Sequence, residues 1–365
     1  MHYLDANATE PLRPEARAAM LEAVELTGNP SSVHAAGRAA RRVVERSRET
    51  LASRFGGRAG DLVFTSGATE ANALAIHGLG AGRRVIVGAT EHAAVRDSAP
   101  AATVLPVDRD GVADLDALTR LLAAGGPALV CLMLANNETG TLQPAAEAAM
   151  LCRQHGAWLH VDAAQAAGRI PVSLRTLGAQ SLALSSHKLG GAMGAGALLL
   201  AAEVTALSPL IRGGGQERGR RGGTPPLPAI AAFAAAAQAA SSPVAITEWR
   251  DSVEIAAVAA GAVVCGGGAP RLPNTTCIAL PGVRADAQVI ALDLDGIAVS
   301  AGAACSSGKV TTSHVLTAMG LGTLAGQAIR VSLPWNATEA DVMAFTDAYP
   351  RMAARLATAL ATRVA

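Results

Sequence analysis

The segment "SLALSSHKLGG" carries Lys188, one of two lysines in a chain with thirty basic residues. A lysine amine condenses with a carbonyl to form a Schiff base, whereas the arginine guanidinium stays protonated and is not nucleophilic. Upstream, "LHVDAAQ" places Asp162 directly after a short apolar run. A carboxylate there either caps the next helix or holds a pyridine nitrogen protonated, which strengthens the electron sink of pyridoxal phosphate. Further upstream, "FTSGATEANAL" reads as strand, small-residue turn and helix. Its Gly67-Ala68-Thr69 turn aims backbone N–H groups and the Thr69 hydroxyl at one point and suits a phosphate, although an ordinary helix cap accounts for it about as well. Taken alone, Lys188 is as readily a surface lysine. A phosphate turn, a strand-end Asp and a strand-end Lys in this order favour a cofactor site. His187 and Ser185 add phosphate donors beside Lys188. His92, in "TEH", is placed either as a surface or core imidazole or as a ring lying flat over a cofactor, in a chain that is only 2% aromatic and has few other rings for that task.

These residues require elements that bring them together. Apolar runs alternate with helix-period segments between about residues 60 and 205: "DLVFTS", "RRVIVGA", "ALVCLMLA", "AWLHVDA" and "SLALSS" read as strands. Such alternation predicts an α/β fold with a mostly parallel sheet, whose ligands sit beyond the carboxyl ends of the strands. The residues at those ends are Gly67-Ala68-Thr69, Thr90-Glu91-His92, Asn136-Asn137-Glu138, Asp162 with Gln165, and Ser185-Ser186-His187-Lys188. "IRGGGQERGRRGGTPPLP" marks a long loop. Beyond it "NTTCIALPG", "IAVSA" and "QAIRVSLPW" read as strands and "RADAQVIALDLDG" as a helix, forming a smaller α+β unit. Residues 338–363 have helical period with a break expected at Pro350.

At 365 residues the chain exceeds one ordinary core, so a large domain with a smaller one is expected. A net charge of +1 leaves no electrostatic footprint for nucleic acid or an anionic membrane. The basic run "GRAARRVVERSRE" alternates with Glu45 and Glu49 and reads as a solvated helix face. No export signal or spanning segment is visible, so a cytoplasmic location is expected. Five cysteines, an odd number without a CxxC pair, indicate neither a disulfide framework nor a metal site. "VSAGAACSSGKVTT" has a partial likeness to a nucleotide-binding loop, but its glycine spacing is wrong and Val310 stands where a magnesium-binding hydroxyl is needed. What remains there is Cys305 among Gly, Ala and Ser. That composition suits a loop with an accessible thiol; the ordinary alternative is a small buried hydrophobe.

Along nearly its whole length the sequence resembles the cysteine desulfurases, pyridoxal-phosphate enzymes of the aspartate-aminotransferase fold (fold type I) within the class V aminotransferase group. The resemblance rests on "NPSSVHAAGRAAR", "FTSGATEANALAI", "TEH", "NNETGTLQP", "HVDAAQAAGRIPV", "SSHKLGG", "GGGQERGRRGGT", "AGAACSSG", "SHVLTAMG" and "IRVSL". It implies Lys188 as the Schiff-base lysine, Asp162 as the pyridine partner, Gln165 as the partner of the ring hydroxyl and His92 as the stacked imidazole. It also implies a phosphate cradle of Ala68, Thr69, Ser185 and His187, with Thr224 donated from the other subunit of a homodimer. Asn137 and Arg330 match positions that hold the substrate carboxylate, and Cys305 matches the sulfur-accepting nucleophile.

The implied reaction converts L-cysteine to L-alanine and leaves a persulfide on Cys305, for iron-sulfur cluster or other sulfur-containing cofactor assembly. Selenocysteine cleavage or transamination on the same fold would use the same cofactor residues without requiring Cys305, and a non-catalytic scaffold would require none of them. The expected division is a large cofactor-binding domain over 15–245, with a seven-stranded sheet, and a small domain formed by 1–14 and 246–365. The chain ends soon after its last helix, without the tail that housekeeping members use to dock an iron-sulfur scaffold, so a sulfur acceptor or scaffold protein is expected but not identified.

Overall fold

This computed structural model describes residues 1–241, 243–302 and 312–364, with side chains as far as residue 356. Its centre is a seven-stranded sheet. Across it lie Leu62–Thr65, Gly196–Leu200, Ser181–Ser185, Trp158–Asp162, Ala128–Met133, Arg84–Gly88 and Thr103–Leu105. All neighbours are parallel except those of Gly196–Leu200, which runs against both of its partners. Every residue of Ala128–Met133 is buried, as expected of a strand covered by helices on both faces. The chain leaves Arg84–Gly88 for one edge and then returns to its other side at Ala128–Met133, so the sheet has a topological switch point there. Ligand crevices form at such points, outside the carboxyl ends of the strands.

With so few rings, this core is built from alanine, valine and leucine. The Ala-rich helix Leu227–Ala239 packs on Pro14–Val24 and Ala35–Arg54. A second core surrounds a four-stranded antiparallel sheet in the order Ser300–Ala301, Ala328–Ser332, Thr275–Ala279, Val263–Val264. The amino terminus joins this part: His2–Tyr3 pairs in parallel with Ile297–Ala298, and Leu4 is fully buried in the second core.

Three expectations change. The helix Glu339–Val364 runs straight through Pro350. Val342, Phe345, Tyr349 and Met352 form its buried stripe, with the Phe345 and Tyr349 rings stacked 5.2 Å apart, and this packing outweighs the one hydrogen bond that proline removes. Two strands that the sequence pattern missed, Thr103–Leu105 and Gly196–Leu200, complete the large sheet. The basic helix Ala35–Arg54 is not solvated throughout, because Arg48 is buried.

Arg48 closes an open sheet edge. Its Nη1 donates to the Leu62 carbonyl at 2.9 Å and to Glu217 Oε2 at 2.7 Å, and Nη2 donates to Glu217 Oε1 at 2.8 Å. Glu217 Oε2 in turn accepts from the Phe64 amide at 2.9 Å. Two side chains thus satisfy the outer backbone groups of edge strand Leu62–Thr65. Glu217 and Arg218 adopt left-handed backbone, φ 49° and 58°, a conformation costing about 1 kcal/mol or more per residue that the ion pair offsets. Glu217→Ala would leave Arg48 buried without its partner and is expected to destabilise the protein by about 3 kcal/mol. Glu45→Ala, which removes a half-exposed partner of the same arginine, is expected to cost less than about 1 kcal/mol; denaturant midpoints of the two variants measure the contrast.

Candidate active site

Both sheets contribute to one cleft of about 570 Å³, within the size range of small-molecule sites. Helix Ala68–Leu79 opens onto it with Ala68 and Thr69 and has no side-chain cap of its own, so its first-turn N–H groups are directed at the cleft. This turn is packed tightly from behind: a Cβ on Gly196 would lie 2.5 Å from the Gly67 backbone. His92 is the cap of the short helix Ala93–Arg96 after strand Arg84–Gly88, its Nδ1 accepting from the Ala94 amide at 3.1 Å. Asn137 follows Ala128–Met133, Asp162 ends Trp158–Asp162, and Ser185 ends Ser181–Ser185. A 3-10 turn at Ser186–Lys188 then turns Lys188 inward. Lys188 Nζ donates to the carbonyls of Asn7 at 2.5 Å and Ala8 at 2.9 Å.

Asp162 is buried and held from two sides. Oδ1 accepts from the Ala164 amide at 2.9 Å and Oδ2 from Asn72 Nδ2 at 2.7 Å. Behind Asn72, its Oδ1 meets His160 Nε2 at 2.9 Å, and His160 Nδ1 meets Ser181 Oγ at 2.8 Å. Burial pushes the His160 imidazole down to about 3, so it is neutral. His187 is lowered to about 4 by burial, assisted by the charges of Lys188 and Arg169, and its Nδ1 lies 3.1 Å from Thr9 Oγ1. Glu91, beside His92, is wholly buried; burial and the nearby Asp162 raise its carboxyl well above the ordinary range, and its Oε2 has no partner among the described residues.

The remaining polar groups are locked in pairs. Gln165 Nε2 donates to the Asn7 carbonyl at 3.0 Å while its Oε1 accepts from Arg169, whose guanidinium also pairs with Glu10 in the interior. Arg330 enters from the small sheet, where it stands opposite Cys277 and Ser300. Its Nη2 binds Asp5 Oδ1 at 2.7 Å and its Nη1 the Asn137 carbonyl at 2.9 Å. Glu138, raised by burial to about 7, accepts from Ser313 Oγ at 2.5 Å. A Cβ on Gly302 would come within 2.5 Å of the same Glu138 oxygen, so the described residues on either side of 303–311 both abut this carboxyl.

Ala68, Thr69, His92, Asn137, Asp162, Gln165, Ser185, His187, Lys188 and Arg330 therefore all line one cleft. Thr224 does not: it is exposed, in the long loop. Cys305 lies outside the described residues. Sequence reasoning missed Asn72, His160, Asp5 and Arg169. Two of these carried a signal. Trp158, His160 and Asp162 alternate along one strand and so share a face, and Asn72 stands three residues after Thr69 on one side of its helix.

The residues present fit pyridoxal phosphate. An uncapped helix start with Ser185 and His187 nearby suits the phosphate, Asp162 the pyridine nitrogen, and the Lys188 amine the aldehyde. Two buried atoms in the cleft, Asn137 Oδ1 and Arg330 Nε, have no partner among the described residues and are suited to a bound polar ligand. Among the described residues no cluster of side chains could hold a metal ion, and no helix is long and apolar enough to cross a membrane.

The family model described as aminotransferase class-V matches residues 2–345. A cysteine desulfurase of Cereibacter sphaeroides is 41% identical, over 95% of this chain and 94% of its own length. Among solved structures, a NifS-like protein from Rickettsia africae superposes with a TM-score of 0.89 at 34% identity, covering 96% of this chain and 99% of that one. A structure described as SspA in complex with cysteine gives a TM-score of 0.80 at 28% identity, with 93% and 100% covered. The chain belongs to the class-V aminotransferase family and, within it, to the cysteine desulfurases.

Proposed function

We propose that the protein is a cysteine desulfurase that binds pyridoxal 5'-phosphate in the cleft and converts L-cysteine to L-alanine, leaving the sulfur as a persulfide on Cys305. The observation that carries this reading is the convergence of Lys188, Asp162 and Arg330 on a single cleft from three separate strands or turns. The relatives named cysteine desulfurase support the substrate. We read 15–245 as the cofactor-binding domain and 1–14 with 246–365 as the smaller one; Leu4, Ile246 and Val253 packing together in the core around the four-stranded sheet supports this division.

When bound, the cofactor supplies an electron sink for the pair left at the substrate α carbon. Lys188 would hold the cofactor covalently and, once freed, take the α proton on Nζ. Asp162 would face the ring nitrogen, Gln165 the ring hydroxyl and His92 the ring face. Ala68, Thr69, Ser185 and His187 would hold the phosphate. Arg330 would bind the substrate carboxylate with Asn137, having Nε still to donate. The Cys305 thiolate would attack the substrate sulfur: the carbon–sulfur bond breaks, a sulfur–sulfur bond forms, and carbon regains a proton. Cysteine and an enzyme thiol thereby become alanine and an enzyme persulfide, with no external oxidant or reductant.

A homodimer accords with the exposure of Thr224, which would reach a neighbour's phosphate site, and of the adjoining Leu210 and Ile211. We further propose a cytoplasmic setting and transfer of the sulfur to an acceptor or iron-sulfur scaffold protein.

Purified protein given pyridoxal phosphate and borohydride should carry the cofactor fixed at Lys188 by peptide mass, and Lys188→Ala should form no alanine; attachment elsewhere would overturn the reading. Cys305→Ala should keep the cofactor absorbance yet release no sulfide from cysteine, and unchanged release would refute its role. Arg330→Lys should raise KM for cysteine about tenfold or more, because a point charge replaces a planar fork; steady-state alanine formation measures it.

A further inference from the structure

The four polar side chains behind the cleft admit a single arrangement of hydrogens. Asp162 Oδ2 can only accept from Asn72, so the Asn72 amide turns its nitrogen toward Asp162 and its oxygen toward His160. His160 must therefore donate from Nε2. Being neutral, it has no second hydrogen, so Nδ1 accepts from the Ser181 hydroxyl. All four groups are buried: Asn72, His160 and Ser181 are fully enclosed and Asp162 is 7% exposed. The chain runs in one direction, hydroxyl to imidazole to amide to carboxyl. Only its last member lines the cleft together with Asn72; His160 and Ser181 lie outside it.

A direction is what a carboxyl at this position requires. A neutral imidazole with its hydrogen on the other nitrogen would face the Asn72 oxygen with a lone pair. The amide would then be free to turn over, presenting Asp162 with an oxygen instead of a donor. The need is imposed from the Asp162 end, where the carboxyl takes the Asn72 N–H and so leaves Nε2 as the donor, and the Ser181 hydroxyl, able to donate or accept, supplies the hydrogen to Nδ1. Adjacent hydrogen bonds in a low-dielectric interior also polarise one another in the same sense.

We propose that Asn72 and His160 are positioning residues for Asp162, and that the chain from Ser181 sets how strongly Asp162 holds a proton on the pyridine nitrogen of the bound cofactor. The proposal rests on the reading of Asp162 as the pyridine partner. It extends the site to Asn72, on the cleft wall beside Asp162, and to His160, which lies outside the cleft.

The test uses holoenzyme loaded with pyridoxal phosphate carrying 15N in its ring, whose nitrogen chemical shift reports ring protonation directly. Asp162→Asn serves as the reference variant. His160→Leu removes the donor to Asn72, whereas His160→Gln can place an amide N–H where Nε2 stood. Asn72→Leu removes the amide itself. The expected result is a shift toward unprotonated pyridine in His160→Leu and Asn72→Leu, wild-type behaviour in His160→Gln, and cofactor dissociation constants raised about tenfold in the two leucine variants, the scale on which outer partners of a ligating group act. Should Asn72→Leu fail to fold, the two His160 variants decide the matter alone. Wild-type shifts in both leucine variants, with Asp162→Asn displaced, would overturn the chain and leave the pyridine partner standing. Equal displacement in His160→Leu and His160→Gln would also overturn it, since packing rather than the direction of the hydrogen bonds would then be responsible. An unmoved Asp162→Asn would overturn the pyridine-partner reading itself.

Discussion

A carboxyl buried at the end of a central strand has to be met by donors, and much of the architecture around Asp162 answers that need. The Ala164 amide is supplied by the turn that leaves the strand, and Asn72 by the helix lying over it. That helix is the same one whose uncapped start faces the cleft. Its placement is therefore constrained twice, by the hydrogen bond at Asn72 and by the close approach of Gly196 to Gly67. One rigid element thus fixes the distance between a site for negative charge and the carboxyl. A helix free to slide could hold one of them in register, but not both.

The second constraint is that the cleft is shared between two cores. Arg330 belongs to the small sheet, yet its guanidinium reaches the Asn137 carbonyl in the large one. Asp5 holds it from the segment just after the amino-terminal strand, a segment itself bridged to Ser332 of the small sheet. Residues Asn7 and Ala8, directly downstream, take the hydrogen bonds of Lys188. The first ten residues consequently tie the arginine and the lysine to each other. A displacement of one core against the other would disturb both, and this gives the amino terminus a part in the site as well as in folding.

The central parallel strands were legible because they are buried on both faces and read as apolar runs, and the carboxyl ends led directly to ten residues that do line the cleft, whereas the three-residue edge strand Thr103–Leu105, with Thr103 and Val104 exposed, carries no such run. Gly196–Leu200 was hidden because its apolar run follows a glycine-rich stretch with no helix before it, whereas the β-α alternation marks only parallel crossovers. Arg48 illustrates a different failure. Helix Ala35–Arg54 buries Ala40, Val44, Ser47, Arg48 and Leu51 along one stripe, so the position was readable from spacing, but its charge pointed to solvent. What no local pattern could supply was its partner, Glu217, brought alongside by the fold from a loop 169 residues further along the chain. Partners distant in sequence are the general limit here: Asp5 for Arg330 and Glu10 for Arg169 arise in the same way.

The distribution of basic residues follows from the same physics. Arg48, Arg221 and Arg271 each face a carboxylate with two nitrogens, the planar two-pronged contact that a guanidinium makes and an ammonium does not. Arg169 and Arg330 each bridge a carboxylate and a backbone carbonyl. At Lys188 the surroundings differ: the contacts resolved at its tip are single hydrogen bonds to two carbonyl oxygens. A guanidinium could also donate to two carbonyls, and the chain places arginine at nearly every other basic position. What a lysine amine can do and a guanidinium cannot is give up its proton and attack a carbonyl, and the proposed role of Lys188 uses that property.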